Sequence, residues 1–410
     1  MLSTSIGCVA GLGAALFQWL TKLVLAGSLA YFANYIPGEA KGEPPLEVEV
    51  SEEGFSPWMI VAVMVTGGLL SGVLVYTFAP EAEGHGTDAA IDAFHNKRGM
   101  IKARVPLIKT LASAITLGTG GSGGREGPIA QIGAGFGSLL ATKLGLSSRD
   151  RRIMLAAGMG AGVGAIFRAP LAGALFAGEI FYKEGDLESD VIVPTAISSI
   201  VGFSVYSLLL PEEYRFMHLF GEPGSFNPGT VWDLIPYGLM SIVLVLVGIL
   251  YITFFYGTHR AFDRLPIKKH FRPAIGAGLA GLTALALYYG LGEDRRLLSV
   301  LSTGYGILQE ALSSESHNSE NPLALVRLFV IVALMKIVTT SFTIGSGGSS
   351  GVFGPSMVIG GCLGAAMGHL INLYGPDGMQ VQPEAYAIVG MAGFFAGIAH
   401  APFSTIIMVS

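Results

Sequence analysis

Apolar residues dominate this chain in long blocks, and the polar residues that separate the blocks are few. Residues 6–36 contain a single charge, Lys22, and residues 57–78 and 273–292 contain none. About 20 consecutive apolar residues suffice for a helix to cross the hydrocarbon core of a bilayer. The pattern predicts membrane-embedded segments near 3–36, 57–78, 105–117, 128–142, 153–182, 191–210, 231–257, 273–292, 325–343, 354–374 and 386–410. Several are shorter than a full span. Residues 105–117 and 128–142 are two pieces separated by glycines, and so are 325–343 and 354–374. The stretch 293–324 is polar, with Ser313-Ser-Glu-Ser-His-Asn-Ser-Glu320, and is expected to be an exposed loop.

The two glycine breaks are copies of each other. Gly118-Thr-Gly-Gly-Ser-Gly-Gly-Arg-Glu-Gly-Pro128 aligns without a gap on Gly345-Ser-Gly-Gly-Ser-Ser-Gly-Val-Phe-Gly-Pro355. Gly118, Gly120, Gly121, Ser122, Gly124, Gly127 and Pro128 recur 227 positions later, and Ile132-Gly133 recurs as Ile359-Gly360. A second motif, Gly164-Ala-Ile-Phe-Arg-Ala-Pro-Leu171, resembles Ala396-Gly-Ile-Ala-His-Ala-Pro-Phe403 at an offset of 232. Two motifs in one order at nearly one spacing predict two homologous halves, 1–210 and 231–410, joined by a loop at 211–230. Transporters are often built from such halves, inverted relative to each other, whose interrupted helices meet near the membrane midplane. The expected fold is an all-α membrane protein of broken and tilted helices. The chain starts and stops inside apolar runs, so it reads as a truncated piece.

Composition agrees with this placement. The 410 residues are 51% hydrophobic and 13% charged, about half the charged fraction of a soluble domain. The net charge is −5, but basic residues cluster at 97–104, 143–152 and 259–272. Between membrane spans such clusters mark cytoplasmic loops rather than a nucleic-acid surface. Residues 37–56, rich in Glu and Pro, read as an outside loop. Segment 1–36 lacks the basic start and short apolar core of a signal peptide. Cys8 and Cys362 both lie in apolar surroundings, and no disulfide, metal site or cofactor is expected.

Glycine permits left-handed backbone, and proline suits the first turn of a helix, where its missing N–H costs nothing. Each copy therefore builds a helix N-terminus, with free N–H groups and the positive end of a dipole, which suits an anion. Two such ends facing one point would hold a small anion loosely enough for it to leave, as conduction requires. Glu126 lies at the first end, where the second copy has Phe353. A carboxylate there competes with the anion; once protonated, it would swing away. Glu126 is thus expected to be gate and proton carrier, against the simpler role of capping its helix. Arg125 is read as satisfying local carbonyls or an acidic partner rather than contacting substrate. A third turn, Glu83-Gly-His-Gly-Thr-Asp88, offers another helix start, at which Thr87 or Asp88 would cap or His85 would meet a ligand.

Gly124-Arg-Glu-Gly-Pro128, Gly351-Val-Phe-Gly-Pro355 and Ala169-Pro-Leu-Ala-Gly173 together resemble the signature set of the CLC chloride channels and proton/chloride antiporters. The motifs lie in the family's order across nearly the whole chain. The resemblance implies a multi-pass protein, expected in a bacterial inner membrane. It implies a homodimer with one pore per subunit, moving chloride or a similar anion and protons. It assigns Glu126 as the external gate. It assigns anion binding to Gly84, His85, Gly86, Arg125, Glu126, Gly127, Val352, Phe353 and Gly354.

Three departures qualify these expectations. His85 stands where the family has a serine, and a histidine can gain charge near neutral pH. Glu179 matches the first of two glutamates that many family antiporters carry after Ala-Pro-Leu, but Ile180 occupies the second position. The family's central tyrosine would fall beyond Ser410. The expected activity is proton-coupled chloride antiport, with a passive voltage- or pH-gated channel as the alternative. A remote alternative is a rhomboid-like serine protease built on Gly348-Ser-Ser-Gly351 with His369 or His400.

Overall fold

Proline and left-handed residues cut the apolar chain into helices at corresponding places in its two halves. The computed structural model describes residues 1–51, 54–181, 189–221, 234–313, 321–375 and 380–409. Among the described residues regular structure is helical, and seven helices are long and apolar enough to cross a membrane. The first half contains α1 (Leu2–Leu25), which runs through a π turn at Ala26–Ala30 into α2 (Tyr31–Ala33), then α3 (Pro57–Phe78), α4 (Thr87–His95) and α5 (Arg104–Gly118). After the first glycine break come α6 (Glu126–Lys143), α7 (Ser148–Ile166), α8 (Pro170–Phe181) and α9 (Ser189–Leu208). The second half contains α10 (Leu234–Arg264), α11 (Arg272–Gly290), α12 (Tyr305–Ala311) and α13 (Pro322–Gly345). The second break leads to α14 (Phe353–Tyr374), α15 (Pro383–Ala399) and α16 (Pro402–Val409).

Gly124 and Gly351, equivalent positions in the repeat, pair with each other. The Gly124 N–H donates to the Gly351 carbonyl at 2.6 Å, and the Gly351 N–H donates back at 2.7 Å. This reciprocal exchange is one rung of an antiparallel ladder. When equivalent residues pair this way, a local two-fold axis passes between them, perpendicular to both chains. The two copies therefore run in opposite senses across the pair, which is the arrangement of an inverted repeat.

Helix packing repeats the symmetry. Gly133 on α6 and Gly158 on α7 cross so closely that a Cβ on either would overlap the other's carbonyl oxygen. Gly360 on α14 and Gly390 on α15 do the same. Gly137 likewise crosses the Met154 carbonyl, as Gly364 crosses that of Tyr386. In a bilayer, such small residues allow the close van der Waals approach that holds helices together.

Three segments differ from their sequence reading. The stretch 153–182 is two helices, because Arg168 takes a left-handed φ of 57° and Pro170 starts α8. The stretch 386–410 breaks the same way, at His400 with φ 53° before Pro402. A residue before proline is turned out of the helical region, so each Arg/His-Ala-Pro is a joint between helices. The expectation of an exposed loop over 293–324 fails over 297–311, although 293, 295 and 296 are exposed. Leu297, Leu298, Val300, Tyr305, Ile307, Leu308 and Ala311 are buried, and 305–311 is α12. The polar run at 314–320 hid this apolar pattern and lies outside the described residues, as does the 222–230 part of the 211–230 loop.

Candidate functional site

The paired glycines hold the starts of α6 and α14 against each other. Arg125 is the N-cap of α6 and Val352 that of α14, and neither side chain caps its helix. A turn from each half completes the surroundings. Gly84 and Gly86, with φ of 68° and 86°, swing the chain into α4. The Ser350 N–H donates to the Gly84 carbonyl at 3.3 Å. The His85 carbonyl lies so close to Gly127 that a Cβ there would overlap it. Ser302 (φ 48°) and Gly304 (φ 77°) make the matching turn into α12. The Gly123 N–H donates to the Ser302 carbonyl at 3.1 Å, and the Ser302 N–H to the Gly120 carbonyl at 3.0 Å. Four helix N-termini therefore meet around the Gly124–Gly351 pair.

Glu126 is buried to 1% exposure at this junction. Its Oε1 accepts a hydrogen bond from the Tyr305 hydroxyl. Its Oε2 has no protein partner. A Cβ added to Gly354 would sit 3.2 Å from that Oε2, so the carboxylate lies at the start of α14. Phe353 is buried beside it, edge-on to Phe176 at 5.5 Å and tilted against Phe395 at 5.1 Å.

Arg125 lies among Glu43, Glu126 and Tyr305. Its Nη2 forms an ion pair with Glu43, its Nε lies 3.9 Å from Glu126 Oε1, and its guanidinium covers the Tyr305 ring at 5.5 Å. The acidic-partner reading of Arg125 describes this geometry. Glu43 is itself buried, so this part of the 37–56 segment reaches into the protein, while 47–51 stays exposed. A cavity of about 50 Å³ beside the pair is lined by residues including Gln18, Lys22, Glu39 and Thr303.

The His85 turn differs from its helix-capping reading. Gly86 is the N-cap of α4 and no side chain caps it. Thr87 Oγ1 is buried without a partner, as is His85 Nδ1, while His85 Nε2 lies 3.1 Å from Asp88 Oδ2. Each buried polar atom left unpaired costs about 1–3 kcal/mol. Glu126 Oε2, Thr87 Oγ1 and His85 Nδ1 thus leave hydrogen-bonding capacity for a mobile ligand, water or proton. Glu179 sits elsewhere: it accepts from the Phe403 and Ser404 N–H groups at 2.9 and 2.8 Å and so caps α16. Ser350 donates to the Gly124 carbonyl at 3.2 Å and Ser349 to the Ala82 carbonyl at 2.9 Å, so both serines tie the loops together.

Tyr305 and Glu43 escaped the sequence reading. The only sign of Tyr305 was its place between Gly304 and Gly306, in a segment whose polarity pointed outward. Gly306 packs so tightly on Gly38 that its Cβ would lie 2.6 Å from the Gly38 Cα.

The family model for the voltage gated chloride channel matches residues 67–410. The chain belongs to the CLC family. This CLC protein is 28% identical over 373 residues to the H(+)/Cl(-) exchange transporter ClcA of Yersinia pseudotuberculosis, covering 88% of this chain and 72% of that one. It is 28% identical over 352 residues to a chloride/fluoride channel protein of Pseudomonas syringae pv. tomato, covering 86% and 71%. Its fold matches a slow cyanobacterial Cl-/H+ antiporter with a TM-score of 0.80 at 21% identity, covering all of this chain and 87% of the other. It also matches a CLC-type fluoride/proton antiporter with a TM-score of 0.74 at 20% identity, covering 100% and 88%. As a CLC, the chain is an integral, multi-pass membrane protein.

Proposed function

We propose that this CLC protein exchanges chloride, or an anion of similar size, for protons across a bacterial inner membrane, with Glu126 as its gate. The observation that carries this reading is the place of the Glu126 carboxylate. It occupies the start of α14, where free N–H groups and the helix dipole favour negative charge, and one of its oxygens has no protein partner. An anion arriving at the same N–H groups must displace the carboxylate. Protonation removes the charge that holds the carboxylate there, so the side chain can leave with its proton while the anion takes its place. One residue then alternates between anion and proton, which is the coupling that exchange requires.

The anion would rest on backbone N–H groups at Gly127, Val352, Phe353 and Gly354 and near the Gly84-His85-Gly86 turn, with Arg125 holding the walls through Glu43. The functional unit is a homodimer with one pore per subunit, each subunit built from halves 1–210 and 231–410. A passive channel is the second reading. Ile180 favours it, because it stands where many family antiporters hold a second glutamate, and Glu179 beside it is engaged in capping α16.

Purified protein in liposomes with a chloride gradient and no proton gradient distinguishes the two. Chloride flux should drive protons uphill, and Glu126→Gln should abolish both the coupling and the pH dependence of flux. Chloride flux without proton movement would leave the channel reading. Unchanged pH dependence in Glu126→Gln would remove Glu126 as the gate.

A further inference from the structure

Tyr305 opens α12, directly after the left-handed Gly304. Thr87 opens α4 after the left-handed Gly86. The two turns match at an offset of 218, with Gly84 facing Ser302 and Gly86 facing Gly304. The halves thus place a hydroxyl side chain at the same corner, but with different reach. The short Thr87 hydroxyl finds no partner. The Tyr305 phenol spans the gap to Glu126 Oε1. A Cβ on Gly354 would lie 3.2 Å from the Tyr305 oxygen as well as 3.2 Å from Glu126 Oε2. Phe220 stands edge-on to the Tyr305 ring at 5.4 Å, and the Arg125 guanidinium covers it at 5.5 Å. The residue is 1% exposed, so its ring is held by protein on all sides.

We propose that Tyr305 is the latch of the gate: its hydroxyl donates to Glu126 and holds the carboxylate at the start of α14. This rests on the reading of Glu126 as the gate. The latch has the right sign for a gate that opens on protonation. A hydrogen bond to an ionised carboxylate is roughly twice as strong as one between neutral groups. Tyr305 therefore grips the charged form and loosens when Glu126 takes up a proton. The other charged groups facing Glu126 are Arg125, at 3.9 Å, and Glu43 through its ion pair with Arg125. The α14 start contributes backbone at Gly354 rather than a titratable side chain.

Tyr305→Phe removes the hydroxyl and keeps the ring packing. The lost bond favoured the carboxylate, so protonation becomes easier, and the pH midpoint of chloride flux should move upward by about one to two units. In a Glu126→Gln background, Tyr305→Phe should change nothing further. Phe220→Leu, which loosens the ring but keeps the hydroxyl, should move the midpoint in the same direction by less. The measurement is chloride efflux from liposomes between pH 4 and 9, on protein that elutes like the parent in size exclusion. An unmoved midpoint in Tyr305→Phe, or a shift that persists in the Glu126→Gln background, overturns the latch. If Glu126→Gln removes the pH dependence while Tyr305→Phe leaves it unmoved, only the latch fails. If Glu126→Gln leaves the pH dependence intact, the gate itself fails.

Discussion

Lys109 and Lys336 lie 227 positions apart in sequence, and each is wholly buried on the helix before a glycine break, with its ammonium donating only to backbone carbonyls. Lys109 reaches the carbonyls of Ala82 at 3.1 Å and Gly84 at 2.6 Å. Lys336 reaches those of Ser299, Val300, Leu301 and Ser302, at 2.8–3.3 Å. Each lysine pins the turn that launches a short helix of its own half: α4 for Lys109 and α12 for Lys336. The buried charge is tolerable because several carbonyl dipoles share it. The pins also explain how the non-helical backbone around the site survives at membrane depth, where unpaired groups are expensive.

Removing one pin should free its turn. Lys336→Met removes a donor shared by four carbonyls, of which Val300 and Ser302 keep another from Thr339 Oγ1 and the Gly123 N–H, and lets the 299–304 turn, and Tyr305 with it, drift. We expect a loss of about 2–4 kcal/mol of stability, read as a lower melting temperature in detergent. An unchanged melting temperature would mean that the carbonyls find other partners and that the lysine is not a pin.

The Arg125–Glu43 pair makes a second prediction. Both groups are buried, so removing one charge strands the other. Arg125→Gln and Glu43→Gln should each destabilise by about 3–5 kcal/mol. The double variant should lose clearly less than the sum of the two. Additive losses would show that the pair contributes nothing as a pair.

Glu179 yields a third. Its carboxylate satisfies two N–H groups that the start of α16 would otherwise leave open. Glu179→Ala should cost about 1–2 kcal/mol, in the range of a lost N-cap. Amide exchange should quicken at Phe403 and Ser404 while the Glu126 region stays protected. Equal quickening at both places would make Glu179 part of a wider network.

The degree to which the sequence disclosed this architecture follows from how strictly each element is constrained at the backbone. Gly124 and Gly351 were legible because only glycine fits two chains that exchange hydrogen bonds beside helix starts, so both copies kept it. The joints at Arg168 and His400 share the Ala-Pro that ends a helix, yet apolar neighbours disguised them inside continuous spans. Lys109 and Lys336 carry one residue type at one offset, but single charges in apolar runs drew less notice than the motifs beside them. Tyr305 was hidden for a different reason. Its counterpart Thr87 shares only a hydroxyl and a preceding glycine, and its neighbours at 313–320 set the polarity of the whole stretch. The partner of Glu126 is fixed by three-dimensional reach across 179 positions, which no local pattern encodes.

His85 supports the last prediction. Its ring faces Phe255 at 6.5 Å, Nε2 meets Asp88, and Nδ1 is buried without a partner. An imidazole has two states where the family's serine has one: neutral, it offers one donor, and protonated, it adds a charge. If the Gly84-His85-Gly86 turn lines the anion path, His85→Ser should alter the preference between chloride and nitrate several-fold. It should also flatten any change in that preference between pH 5 and 8, because serine does not titrate there. Selectivity measured from the relative rates of chloride and nitrate efflux checks both. Identical preference in the parent and His85→Ser at every pH would place the histidine outside the anion path.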